Sequence, residues 1–327
     1  IPNPCMGYYS KAYETNVYYP NESSYGEDLL NSLTIGDNFT IYTIGTTFNN
    51  FQRHTTTCLL ADQCDYCGVY NQIQSWSGDS LNISGNSSVI LLKLVVDNSE
   101  NSTGLIESDA YLLDSTSSDY GKDIIYYSNN IYVTGYSDGD LKDNTNNGGI
   151  DAFVAKYTDN STNVWTKMFG TESNDYSNVI AIDNSSGSIY VAGSTLGAFS
   201  GFENNGDSDI FVANYNLDGE QQWLSQFGSS SSDNVTGIAT LSGSVFLTGV
   251  TEGDLDGNSN TGRTDGFITK FSSDGVKQWT KLIGTIDVDI ATSIKSDGNK
   301  YLYITGATKG SLSKNNAGGY DNFIKKI

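Results

Sequence analysis

Apolar residues along this chain occur in short alternating runs bounded by Gly, Asn, Asp and Ser, and nowhere at a sustained helical spacing. Alternation is the signature of an extended backbone, whose successive side chains point to opposite faces. The clearest stretch predicts four strands, at 179–182, 189–193, 209–215 and 222–227, all rich in β-branched and aromatic residues. Ser186-Gly187, Asp218-Gly219 and Asp274-Gly275 stand at hairpin spacing between such runs. An all-β chain with almost no helix is expected.

The strand pattern repeats. Val133-Thr134-Gly135, Val191-Ala192-Gly193, Leu247-Thr248-Gly249 and Ile304-Thr305-Gly306 set their glycines 58, 56 and 57 residues apart. Asp151-Ala152-Phe153, Asp209-Ile210-Phe211, Asp265-Gly266-Phe267 and Asp321-Asn322-Phe323 keep the same period. Trp165, Trp223 and Trp279 each follow that Asp by 14 residues, and Gly170, Gly228 and Gly284 follow the Trp by five. Four strands per period of about 57 residues make one blade of a β-propeller. The first third fits more loosely, with strands at 33–35 and 39–45 and a third at 89–95, then 124–127 leading into 131–135. Marker glycines 45, 135, 193, 249 and 306 count five four-stranded blades in a single domain over 1–327. The chain stops just after the last third strand, so residues 1–28, and within them 8–19, are expected to supply the strand that closes the last blade.

The run Ile131 to Trp165, with Ile131-Tyr132-Val133-Thr134-Gly135 followed by Gly148-Gly149-Ile150-Asp151-Ala152-Phe153-Val154-Ala155-Lys156-Tyr157, resembles the SBBP-type β-propeller repeat. The resemblance covers about 120–327 well and 29–119 weakly. It implies a propeller in a secreted or surface protein and is nearly silent on activity. Its name refers to seven blades, whereas five are counted here.

Composition narrows the partners. Net charge is −21, from 17 Lys+Arg against 38 Asp+Glu, which disfavours nucleic acid. No apolar run approaches a membrane span. Sequons at Asn21, Asn38, Asn82, Asn86, Asn101, Asn160, Asn184 and Asn234 point to N-glycosylation and hence to an extracellular, secreted or cell-surface location. The start at Ile1, without Met or an apolar leader, fits a processed form. Cys5, Cys58, Cys64 and Cys67 read as two disulfides of undetermined pairing, pinning a cysteine-containing insertion at 46–88 in the first blade. A four-thiolate zinc site is the competing reading.

The Asp of each Asp-x-Phe marker follows a Gly by three residues (Gly148, Gly206, Gly262, Gly318). A turn is expected there, with Gly at positive φ and the carboxylate accepting backbone N–H groups. Asp254, Asp256, Asn258 and Asn260 alternate oxygen donors as calcium loops do, though no closing glutamate follows. No other cofactor is expected. The three repeated tryptophans are expected to pack between blades, leaving Trp76 as the better exposed contact. His54, the only histidine, stands in no nucleophile motif, and nothing singles out a carboxylate pair such as Glu107 and Glu172 for glycoside hydrolysis. The sequence therefore reads as a non-enzymatic structural or interaction protein, free of cofactors unless calcium occupies the 254–260 loop, whose partners are copies of itself, other extracellular proteins or glycans. An extracellular filament or appendage subunit, in which one copy's N-terminal segment or cysteine insertion clasps a neighbour, is its sharper form. A carbohydrate- or protein-binding adhesin is the alternative, and a glycoside-acting enzyme the third.

Overall fold

A computed structural model describes residues 29–37, 40–48, 83–97, 104–312 and 316–327. Among them the chain forms nineteen strands and no α-helix, so no helix is long and apolar enough to cross a membrane. The first sheet comprises β1 (Leu29–Ile35), β2 (Ile41–Thr47), β3 (Ser88–Asp97) and β4 (Gly104–Leu113). The second holds β5 (Asp119–Tyr127), β6 (Asn130–Ser137), β7 (Asp151–Thr158) and β8 (Asn163–Phe169). The third holds β9 (Asp175–Ile182), β10 (Ile189–Thr195), β11 (Asp209–Tyr215) and β12 (Gln221–Phe227). The fourth holds β13 (Asp233–Leu241), β14 (Ser244–Thr251), β15 (Asp265–Ser272) and β16 (Lys277–Ile283). The fifth has three strands among the described residues, β17 (Asp289–Ser296), β18 (Leu302–Thr308) and β19 (Asp321–Lys326). Every sheet is an antiparallel meander, as short hairpin turns require.

The first strands of all five sheets, β1, β5, β9, β13 and β17, line one central cavity of about 310 Å³. Each carries a β-bulge, at Asn31, Lys122, Asn178, Thr236 and Thr292, where the ladder to the second strand skips a residue. The bulges explain the marker glycines. A Cβ on Gly45, Gly135, Gly193, Gly249 or Gly306 would lie 1.9, 1.9, 1.8, 2.0 or 2.2 Å from the carbonyl oxygen two residues before the bulge. Only a residue without a side chain fits against that backbone.

The core lies between sheets. The residue after Phe153, Phe211 and Phe267, and after Ile90 at the matching place in the first sheet, packs forward onto the next inner strand: Leu91 with Ile124, Val154 with Ile180, Val212 with Ile238, Ile268 with Ile294. The Phe itself, one position earlier, faces backward, so Phe211 meets Phe169 of the preceding sheet and Phe199 of its own β10–β11 loop at centroid distances of 5.6 and 5.5 Å. Trp165 packs against the Gly219 turn of the next sheet and donates from Nε1 to Leu217 O at 3.2 Å. Trp223 does the same at Gly275 and Ser273 O. These tryptophans sit between neighbouring blades, as their position in the repeat suggested.

Some expectations need correction. Among the four glycines preceding the marker aspartates, only Gly318 has positive φ. Gly148, Gly206 and Gly262 are there for closeness: a Cβ would meet Glu172, Ser231 or Asp287 backbone of the next junction within 2.1–2.5 Å. The first strand of each clear blade begins at its Asp, four or five residues earlier than apolar alternation indicated, because hydrogen bonding continues past the apolar run. β4, unassigned from sequence, completes the first sheet. Residues 1–28 and most of the 46–88 insertion, with Cys5, Cys58, Cys64, Cys67, His54 and Trp76, lie outside the described residues, as do Asn21, Asn38, Asn82 and Asn101.

Candidate functional site

Two carboxylate rings hold the loops at one end of the sheets. Asp119, Asp175, Asp233 and Asp289 open the inner strands, and each Oδ2 accepts the N–H four residues earlier, from Ser115, Thr171, Ser229 and Thr285, at 2.5–2.7 Å. Asp151, Asp209, Asp265 and Asp321 open the third strands and accept likewise from Asn147, Asn205, Thr261 and Ala317 at 2.7–3.1 Å. Sequence reasoning found only the second ring. The first was visible as an Asp recurring at 119, 175, 233 and 289, with Ser or Thr four residues before it. The rings meet at the junctions: a Cβ on Gly170 would lie 2.2 Å from Asp151 Oδ1 and 2.9 Å from Asp175 Oδ2. That crowding accounts for the glycine five residues after each Trp.

Burial pushes the carboxyls of Asp119, Asp151, Asp175 and Asp233 above their ordinary value of 3.8, although hydrogen bonds to the ionised form work against the shift. Neighbouring carboxylates add to it, Asp175 acting on Asp151 and Asp209 on Asp233. A carboxyl raised in the folded state binds protons more tightly there than in the unfolded chain. The stability it contributes is complete below the unfolded pKa and is lost as pH climbs through the folded value. Exposed Asp274 and Asp297 are lowered and act in the opposite sense. With four buried groups and net charge −21, the melting temperature is expected to fall between about pH 4 and pH 7. Calorimetry across that range checks it; a melting temperature that rises with pH would refute the assignment.

The cavity brings together charged side chains from several sheets. Its wall carries Asp123, Lys122 and Lys295 with the amides and hydroxyls of Asn31, Ser32, Asn178, Thr236 and Ser293. Asp123 Oδ1 accepts from Ser32 Oγ at 2.7 Å and from its neighbour Ile124 N at 2.9 Å, and Oδ2 accepts from Ile180 N at 3.0 Å. One carboxylate thereby ties the first three sheets together. Burial raises its pKa, while those hydrogen bonds and Lys295 pull it down. Two bulge residues also reach across: Asn31 Nδ2 donates to Gly121 O at 2.6 Å, and Thr236 Oγ1 to Ala291 O at 2.7 Å. The bulges thus turn polar side chains into the channel, where they bind sheet to sheet. Asp123→Ala removes these acceptors and is expected to lower stability by about 1–3 kcal/mol, the usual cost of a buried donor left unpaired. Chemical denaturation measures it, and an unchanged midpoint would mean the channel does not hold the sheets.

The proposed calcium donors lie in the loop between β14 and β15. Asp254 Oδ1 accepts from Asn260 N at 2.8 Å, and Asp256 is engaged by Lys277 Nζ and Thr280 Oγ1. Asn258 Nδ2 donates to Leu255 O at 3.0 Å, and Asn260 Oδ1 accepts from Gly262 N at 2.9 Å. The loop after β6 repeats the arrangement, with Asp140 accepting from Asn146 N at 2.8 Å and Asn144 donating to Leu141 O at 3.0 Å, despite Lys142 between them. These oxygens shape a recurring loop. Among the described residues, no group of three or more His, Cys, Asp or Glu side chains is placed to hold a metal ion. Glu107 lies on β4 and Glu172 in the loop before β9, on separate sheets. Of the described sequons, Asn86, Asn160 and Asn184 are exposed in loops, whereas Asn234 is half-buried within β13.

Comparison with known proteins agrees on the repeat. The SBBP β-propeller repeat family matches residues 164–200, from β8 through the Asp175 latch and the Gly193 contact into the loop after β10. The regulatory protein FlaEY of Caulobacter vibrioides is 26% identical over 230 residues, covering 59% of this chain and 24% of that protein. An uncharacterized WD repeat-containing protein, L264 of Acanthamoeba polyphaga mimivirus, is 27% identical over 137 residues, covering 36% of this chain and 10% of that one. The chain therefore spans about a quarter or less of the curated relatives it matches. Among solved structures, a protein of unknown function from Dyadobacter fermentans aligns over 94% of this chain and 77% of its own, with TM-score 0.46 and 10% identity. An exo-1,5-α-L-arabinanase from a bovine ruminal metagenomic library aligns over 90% and 91%, with TM-score 0.38 and 9% identity. Residues 164–200 therefore carry an SBBP-type β-propeller repeat, and the bulge, glycine and latch of that unit recur from sheet to sheet.

Proposed function

We propose that this propeller is a non-enzymatic, secreted and N-glycosylated structural or interaction protein, working through the exposed loops and edges of its sheets. The observation that carries the reading is the repetition of its buried carboxylates. Seven of them, together with the half-buried Asp321, perform the same loop-latching task in sheet after sheet, and Asp123 is committed to joining three sheets. Reactive chemistry calls for a unique, poised constellation, whereas a scaffold calls for the same solution at every junction. Exposed loop sequons at Asn86, Asn160 and Asn184 support the secretory part, since a glycan there projects into solvent.

Assembly into an extracellular filament or surface appendage is the sharper form of this role. Light scattering of the full-length protein at high concentration, with direct imaging of natively sourced material, tests it. Ordered polymers support a filament subunit, and a strictly monomeric protein removes that form. The adhesin alternative predicts selective binding on a glycan array that loop substitutions abolish. Turnover of a glycoside that disappears on mutating one or two channel carboxylates would overturn the non-enzymatic reading altogether. Chelator treatment is expected to leave the melting temperature unchanged, because the carboxylates of the 254–260 loop are already engaged by the loop itself and by β16.

A further inference from the structure

Four of the five bulge residues line the cavity, and they divide into two kinds. Asn31 donates to Gly121 O at 2.6 Å and Thr236 to Ala291 O at 2.7 Å, so both are occupied in joining sheets. Lys122 and Asn178 donate to nothing among the described residues. They stand on adjoining inner strands, β5 and β9, which the hydrogen bond from Ile180 N to Asp123 Oδ2 holds together at 3.0 Å. Lys295 pulls down the carboxyl of Asp123, so those two charges answer each other. The Lys122 ammonium forms no ion pair among the described residues and lies 5.9 Å from the centre of the Tyr136 ring. Two lysines against one aspartate leave the cavity wall at net +1, in a chain of net −21.

Aromatic rings continue the wall toward the latch end. Tyr120 and Tyr176 stand two positions before Lys122 and Asn178 on the same two strands, each directly after a latch aspartate. Tyr136 pairs with Tyr120 across β5 and β6, and its ring lies 5.0 Å from that of Tyr120 and 5.1 Å from that of Tyr176. All three are half-buried, so part of each side chain stays open to solvent. The matching places on the other inner strands hold Leu29, Asn234 and Ile290, so the group belongs to the second and third sheets alone. The work of a scaffold recurs at every junction, as the latches do. Three tyrosines and a lysine gathered at one point of the ring answer to something else.

We propose that this arc of the channel binds a hexuronate, a pyranose sugar bearing one carboxylate. Lys122 takes the carboxylate, the tyrosine rings take one face of the sugar, and Asn178 takes one of its hydroxyls. A pyranose has faces of C–H groups and a rim of hydroxyls, which suits side chains that offer an apolar ring and a polar tip. Charge selects the acid. One carboxylate balances the net +1 of the wall, whereas a neutral hexose would leave the Lys122 ammonium partly desolvated and unpaired. A dianion such as phosphate overshoots that balance and gains nothing from the rings. At about 310 Å³ the cavity is at the lower end of the range for small-molecule sites, so it suits a single sugar unit. Asp123, the carboxylate of that wall, is already bonded to Ser32, Ile124 and Ile180, which leaves it no part in bond cleavage. The inference rests on the interaction role above in one respect, that the ligand is held and not turned over.

Isothermal titration of the full-length protein tests it, with glucuronate, galacturonate and mannuronate as probes beside their neutral hexoses and inorganic phosphate. At least one uronate is expected to bind about tenfold more tightly than its hexose and than phosphate. Lys122→Gln is expected to erase that preference. Asn178→Ala and Tyr136→Leu are each expected to weaken the uronate about fivefold while keeping it. A lysine of merely structural use would leave the preference untouched. Three results would each overturn the site: no uronate bound at about 10 mM, phosphate bound as tightly as the acid, or a preference that survives Lys122→Gln. Chromatography of the incubated ligand separates this outcome from that of the proposed function. Uronate that binds and is recovered unchanged supports both. Uronate that binds and is converted overturns the non-enzymatic reading and leaves Lys122 and the rings as its binding site.

Discussion

Gly193→Ala is expected to cost the protein more than about 3 kcal/mol of stability, beyond the roughly 1–3 kcal/mol of ordinary overpacking. The added methyl would sit 1.8 Å from Tyr176 O and 2.8 Å from Ser177 Cα, both backbone atoms. A flexible side chain could move aside; a bulged strand paired on one side and packed against the preceding sheet on the other cannot. Relief would require undoing the bulge at Asn178, which would reset the register of β9 against β10 and turn its inner residues out of the channel. Urea denaturation of the variant measures the loss. A decrease below about 1 kcal/mol would show that the bulge is soft and that the recurrent glycine has another cause.

Phe211→Ala is expected to lower stability by about 3–5 kcal/mol, the range for deleting a buried aromatic ring. Phe211 is fully buried and forms an edge-on cluster with Phe169, which belongs to the unit before it, and with Phe199 of its own β10–β11 loop. The cavity would therefore open between sheets, where β8 of one sheet is held to β11 of the next by side chains alone. Because that contact is the junction itself, unfolding is expected to lose its single cooperative transition, with near-ultraviolet and far-ultraviolet circular dichroism separating. Coincident transitions with a loss under about 1 kcal/mol would place the junction energy elsewhere.

The two changes act on residues whose importance was legible in the sequence for different reasons. The Gly and Asp-x-Phe markers stood out because each junction is built the same way, so the period of the contacts became a period of the letters. The inner-strand aspartates were equally periodic but fell outside the apolar runs, and an argument from hydrophobic alternation started each strand too late to include them. β4 escaped for a related cause: Gly104–Leu113 lacks the Trp and closing Gly of the other outer strands. The channel cluster was invisible in sequence. Asp123, Lys122 and Lys295 belong to no marker, and their meeting depends on bulges in strands that are far apart along the chain. The 254–260 loop shows the converse. Its alternating oxygens are a real signal, but they serve a turn that recurs after β6.

By itself, the sequence determined the repeating unit: four short strands, a glycine at the second, an aspartate and a phenylalanine at the third, a tryptophan at the fourth. Those are local or nearest-neighbour demands, and each copy states them again. Only the tertiary structure decided what the units do to one another. It set which oxygen crowds which glycine, which face of Phe211 meets the preceding sheet, and which five strands share an axis. It also left Leu33 and Ile324 exposed on the first and last sheets. Such facts depend on how sheets twist and bulge as they pack side by side, and a linear pattern of apolar and polar letters carries no term for that rotation.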